Sequence, residues 1–161
     1  GGYYMYTTSV AKQQEVGEKS VSMMALVQDF ISKHKLNVSG APFLLFNETD
    51  NTNNTVIFST CFPVKERVIT PENSPVVCGF MEPVSALKIT LKGNHENLPE
   101  TLQKGLDYIA KNGLQTNPER KLFEVYTTDI KTEPNPAKWV TEIYIPIQST
   151  EEPTETEIQP K

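Results

Sequence analysis

Apolar positions in this chain switch repeatedly between a helical and an alternating period. Residues 18–35, EKSVSMMALVQDFISKHK, place Val21, Met24, Val27, Phe30 and Ile31 at helical spacing without Pro or Gly, which predicts an amphipathic helix. Residues 98–112, LPETLQKGLDYIAKN, repeat the pattern with Leu98, Leu102, Leu106 and Ile109, with Pro99 in the first turn and Gly113 placed as a C-terminal cap. Two strand-like runs follow each helix: PFLLFN and TVIFSTCFPV after the first, KLFEVY and KWVTEIYIPIQ after the second. An alternating segment precedes each, YYMYTTSV and ALKITLK. The order β-α-β-β therefore occurs twice, over about residues 3–66 and 76–148. Residue matches support a duplication: DFISK at 29–33 parallels DYIAK at 107–111, and CFPVK at 61–65 parallels YIPIQ at 144–148. The expected fold is α+β, a single domain over 1–148 with an antiparallel sheet and both helices on one side of it.

Alternation along each strand then assigns faces. The aliphatic set is expected under the helices, since burying such a side chain stabilises by roughly 1.5–3 kcal/mol. On this rule Phe123 and Val125 face a helix, leaving Leu122, Glu124 and Tyr126 opposite; Ile143, Ile145 and Ile147 face it, leaving Val140, Glu142 and Tyr144 opposite. In the first unit Phe43, Leu45, Phe58 and Phe62 face the helix, and Leu44, Phe46, Ile57, Ser59 and Cys61 look away. The expectation is one surface carrying two Glu-x-Tyr stripes beside a nearly uncharged apolar half, a plausible wall for a cavity between the repeats. A carboxylate there is partly desolvated and favours a cation, which aromatic faces also attract. The plain alternative is that these acids lie on a water-facing side of an antiparallel sheet. Candidate ligand contacts are Glu142, Glu124, Tyr126, Tyr144, Trp139, Phe46 and Ile57.

Charge and composition narrow the classes. The formal net charge is −5 and no basic block occurs, so this chain is not expected to bind nucleic acid directly. No apolar run approaches the roughly 20 residues of a membrane helix, and GGYYMYTTSV lacks the layout of a signal peptide. A cytoplasmic protein is expected. Because the first residue is Gly, a further segment such as a DNA-binding domain or an anchor is expected to precede it in the natural protein. Cys61, Cys78, His34 and His95 have no metal-ligand spacing and no Gly-rich phosphate loop occurs, so neither metal nor cofactor is expected. Cys61 reads as an inert thiol and His95 as a solvated turn residue. Residues 149–161, STEEPTETEIQPK, read as a flexible acidic tail.

The segments LPETLQKGLDYIAKNGL, KLFEVYTTD and KWVTEIYIPIQ, above all the terminal Trp-x-x-Glu-x-Tyr-x-Pro pattern, resemble the second half of the GyrI-like family, the effector-binding domain of AraC-type and MerR-type transcription regulators. With the first half included, the resemblance covers about residues 3–148. It implies two β-α-β-β units related by a pseudo-two-fold axis, with a cavity between them in which an acidic residue meets cationic, aromatic drugs. Carried to matching positions, Glu142 and Glu124 are the acidic groups and Tyr126, Tyr144 and Trp139 the aromatic ones. Three functions follow as expectations. The first is a sensor or sequestering module for a lipophilic, cationic or aromatic small molecule. The second is a hydrolase of electrophilic compounds in which Glu142 activates water and Tyr126 or Tyr144 is the acid. The third is a protein-binding inhibitor of the gyrase-inhibitor type.

Overall fold

In a computed structural model that describes residues 1–149, the two periodic segments form helices α1, Val16–Lys33, and α2, Leu98–Lys111. Helix α1 buries Ser20, Met23, Val27 and Ile31, leaving Val21 and Leu26 largely exposed, so its inward stripe is rotated slightly from the one the sequence suggests. Helix α2 buries Thr101, Gly105 and Ile109. At Gly105 the helix lies close on the sheet: a Cβ there would run into the Cδ1 of Ile89 and lie 2.7 Å from that of Ile145.

Seven strands form one antiparallel sheet: β1 Gly2–Lys12, β2 Phe43–Asp50, β3 Thr55–Val64, β4 Val77–Met81, β5 Ala86–Lys92, β6 Phe123–Tyr126 and β7 Val140–Pro146. Their order is β4-β1-β3-β2-β6-β7-β5. The triplet β1-β3-β2 of the first unit thus meets its counterpart β5-β7-β6 across the β2–β6 seam, which is the arrangement a duplicated β-α-β-β unit produces. Strand β4 falls in the stretch the sequence pattern assigns to the second unit, yet it pairs with β1 at the outer edge of the first.

The duplication extends to the backbone at the helix ends. The Leu36 N–H donates to the Ile31 carbonyl and the Leu114 N–H to that of Ile109, each at 3.0 Å. The residue just before each donor is left-handed, Lys35 at φ 53° and Gly113 at φ 71°. Isolated bridges Val38–Val64 and Thr116–Ile147 then tie each helix exit to the last strand of its unit.

Both helices lie on the same sheet face. Val27 and Ile31 pack with Met5, Phe62 and Val64, and Ile109 packs with Ile143 and Ile145. Strand register connects these sets across the seam, because Leu44 pairs with Thr60 on one side and with Glu124 on the other, and Glu124 pairs with Ile143. Residues directly opposite in a ladder share a face. Two strands are therefore inverted relative to the aliphatic-side rule. Leu44 and Phe46, not Phe43 and Leu45, lie on the helix side of β2, packing with Met23, Val56 and Phe58. In β6 the helix side belongs to Glu124 and Tyr126, while Phe123 and Val125 stand opposite Tyr144 and Glu142 on the other side. The acidic tail expected over residues 149–161 lies, from residue 150 on, outside the described residues.

Candidate functional site

The register separates the two Glu-x-Tyr stripes that alternation had placed together. Glu124 and Tyr126 lie on the helix-covered face at the seam between the units, and Glu142 and Tyr144 lie on the opposite face, which no helix among the described residues covers. No Glu142–Tyr126 acid–base pair can form across the sheet, which removes that version of a hydrolase site.

At the seam, Glu124 is buried, with 9% of its surface exposed. The Tyr126 hydroxyl donates to Glu124 Oε1 at 2.6 Å, and the ring packs against the first unit's cluster of Met23, Leu44 and Phe58. Burial raises the Glu124 carboxyl above its ordinary range, opposed in part by the Tyr126 hydrogen bond. Burial, with the neighbouring carboxylate, also pushes the Tyr126 phenol up. Directly across from Tyr126 stands Thr141, fully buried, whose Oγ1 has no hydrogen-bond partner among the described residues. His95, in the short 3-10 turn His95–Asn97 that leads into α2, adds a ring 5.4 Å from that of Tyr126 and 4.6 Å from that of Trp139. It is half-buried rather than solvated, and burial lowers its pKa, which favours the neutral imidazole. The Trp139 indole is fixed by donating to the Glu133 carbonyl at 2.7 Å. Of the sequence candidates, then, Glu124, Tyr126, Trp139 and Phe46 gather near this seam. His95 and Thr141 join them unannounced.

The uncovered face has a different chemistry. Rings of Tyr6, Tyr4, Phe43, Phe123 and Tyr144 follow one another across it, with successive centroids 5.3, 5.5, 6.0 and 4.7 Å apart. Phe123 and Tyr144 are nearly parallel, at 7°. The Tyr144 hydroxyl donates to Glu142 Oε1 at 2.8 Å, and Lys88 Nζ lies 3.8 Å from Glu142 Oε2. Desolvation, then the bond to Glu142, raises the Tyr144 phenol to about 12. Ile57 shares this face, exposed, and Cys61 is buried in it with its thiol pushed up by burial. Glu142 already has a cation beside it, whereas among the described residues no lysine or arginine forms a salt bridge with Glu124.

An open cleft of about 580 Å³ runs beside α1, lined in part by Gln28, Ile31, Ser32, Val38, Pro42 and Phe62. It contains neither carboxylate. It does reach the seam strand, since the Pro42 carbonyl accepts the Tyr126 N–H at 3.0 Å.

Residues 12–148 match the family model described as the GyrI-like small molecule binding domain. No curated protein sequence matches significantly. Among solved structures, the EcmrR C-terminal domain is similar with a TM-score of 0.78 at 15% identity, covering 92% of each chain. EcmrR in its DNA complex gives 0.78 at 14%, covering 92% of this chain and 54% of that one, so this chain spans about half the length of that protein. SAV2435 bound to tetraphenylphosphonium gives 0.61 at 12%, covering 94% of this chain and 92% of that one. At these identities the likenesses establish the fold.

Proposed function

The chain belongs to the GyrI-like small-molecule-binding domain family, and from that premise we propose that it binds a lipophilic cation at the β2–β6 seam, as an effector sensor or sequestering module. The observation that carries this reading is Glu124: a buried carboxylate held by one tyrosine hydroxyl, with no basic side chain paired to it among the described residues. Leaving an ionised group desolvated is unfavourable, and an incoming cation relieves that cost. The rings of Tyr126, His95 and Trp139 offer aromatic surface for the apolar part of such a ligand, and Phe46, Leu44 and Met23 supply an aliphatic and aromatic floor.

In this reading Glu142, Tyr144 and Ile57 take no part in ligand contact, since they occupy the other face. The tetraphenylphosphonium in SAV2435 is a cation of the proposed class. The likeness to EcmrR in its DNA complex supports an effector role within a DNA-binding regulator, with DNA contact made by a part of the protein other than this domain.

Thermal shifts measured with tetraphenylphosphonium and with tetraphenylborate, an anion of the same shape, test the charge preference, because a ligand of the native state raises its stability by mass action. The phosphonium is expected to raise the melting temperature and the borate to leave it unchanged. Equal shifts, or a larger one with borate, would remove the cation reading. If instead an electrophilic ligand is consumed, and Tyr126→Phe stops its turnover, a hydrolase built on Glu124 and Tyr126 replaces the sensor.

A further inference from the structure

We infer that Thr141 is a ligand contact of the seam site, and that the site is built for cations bearing N–H donors, such as protonated amines and amidiniums, over permanently charged onium ions. The inference rests on the Glu124 reading above and narrows it to a ligand class.

Two independent features meet here. Glu124 presents a buried acceptor, and Tyr126 occupies its Oε1. Thr141 presents a second buried oxygen on the neighbouring strand, with none of its surface exposed and no partner for Oγ1 among the described residues. Buried hydroxyls are nearly always hydrogen-bonded, so this one calls for a partner from outside the chain, an ordered water or a ligand. The ladder fixes where it sits: Thr141 is directly opposite Tyr126, and Glu124 lies two residues before Tyr126 on the same face. Such diagonal neighbours are about 7–8 Å apart at the backbone and somewhat closer at Cβ, within reach of a side chain as long as that of glutamate. One ammonium or amidinium head with two N–H groups therefore spans a carboxylate oxygen and the Thr141 hydroxyl.

Thr141 is reached when the Tyr126 ring leaves its place between His95 and the Met23–Phe58 floor. The ligand then replaces the phenol on Glu124 and gives Thr141 the partner it lacks. A site with a hydrogen-bonding oxygen discriminates against an analogue that cannot use it, because that oxygen stays unpaired. A quaternary ammonium or phosphonium head satisfies the charge of Glu124 and leaves Thr141 as it is.

The test is titration calorimetry with (1-naphthylmethyl)ammonium and its trimethylated salt, which share a ring and a charge and differ in N–H groups. The natural protein is expected to prefer the primary ammonium. Thr141→Val should weaken the primary ammonium by roughly five- to ten-fold, the size of one neutral hydrogen bond, and leave the trimethyl salt within about two-fold. Thr141→Ser, which keeps the hydroxyl, should retain the preference, and Glu124→Gln should weaken both cations. The melting temperature of Thr141→Val should equal or exceed that of the natural protein, since an unpartnered hydroxyl is removed. Equal losses for the two salts in Thr141→Val, no loss for either, loss of the preference in Thr141→Ser, or a marked fall in melting temperature would each overturn the role of Thr141 while leaving the Glu124 site standing. Failure of both salts to bind the natural protein would overturn both readings.

Discussion

Glu124 and Glu142 are chemically identical side chains placed in opposite situations by a ladder register. Glu142 has Lys88 beside it and partial access to water, with 24% of its side chain exposed. Glu124 has a phenol and burial. Its carboxyl is raised above the ordinary 4.5, so the native state holds this proton over a pH window in which the unfolded chain has lost it. The stabilisation from keeping that proton is full below about 4.5 and is lost as pH rises through the higher folded value. Subtracting the unfolding free energy of Glu124→Gln from that of the natural protein across pH 4 to 8 should therefore give a difference that declines with pH. Affinity for a cation should climb over the same window, as the carboxylate forms, and stay flat in Glu124→Gln. A difference that rises with pH would mean that Glu124 has a cationic partner in the native state.

At the scale of elements, the helices and the duplication are legible in the sequence and the phases of β2 and β6 are not, for a specific reason. Around the seam β2 is apolar on both faces and β6 puts its carboxylate under the helices, because the side away from the helices carries an aromatic row rather than a wetted surface. With FLLF in β2, alternation cannot choose between Phe43/Leu45 and Leu44/Phe46, and a one-residue change of phase exchanges every side chain between faces. The phase of β7 is legible, since Ile143 and Ile145 contrast with Glu142, although nothing in the pattern singles out Thr141 on their face. Strand β4 is short and contains Gly79, which the Tyr4 ring covers, so its pattern is weak. His95 joined the site through a turn, for which no period exists.

The duplicated caps give an internal comparison at this scale. Lys35 adopts the left-handed conformation that its counterpart Gly113 adopts freely. Lys35→Gly should raise stability by up to about 1 kcal/mol, read by chemical denaturation, because a left-handed non-glycine residue costs about 1–2 kcal/mol and glycine gives back part of this in unfolded-state entropy. Gly105 makes the opposite case. Gly105→Val would force a branched side chain against Ile89 and Ile145, and should destabilise by about 1–3 kcal/mol. An unchanged denaturation midpoint would show that α2 can lift from the sheet at no cost.

At the scale of the whole molecule, joining two β-α-β-β units through β2 and β6 leaves the seam covered by neither unit's own helix core alone. Packing there is shared: the first unit gives Leu44, Phe46 and Met23, the second Glu124, Tyr126, His95 and Trp139. The aromatic and acidic residue types of the proposed site are visible in the sequence, and so is their origin in a repeat. Which carboxylate belongs to the seam was not, since it depends on the pairing of two strands about 80 residues apart in the chain. Titration calorimetry of tetraphenylphosphonium against the natural protein, Glu124→Gln and Glu142→Gln decides this most directly. The seam site predicts that Glu124→Gln loses about ten-fold or more in affinity, as expected for removing a desolvated charge, while Glu142→Gln stays within about two-fold. A loss confined to Glu142→Gln would place the ligand on the uncovered face and contradict the account.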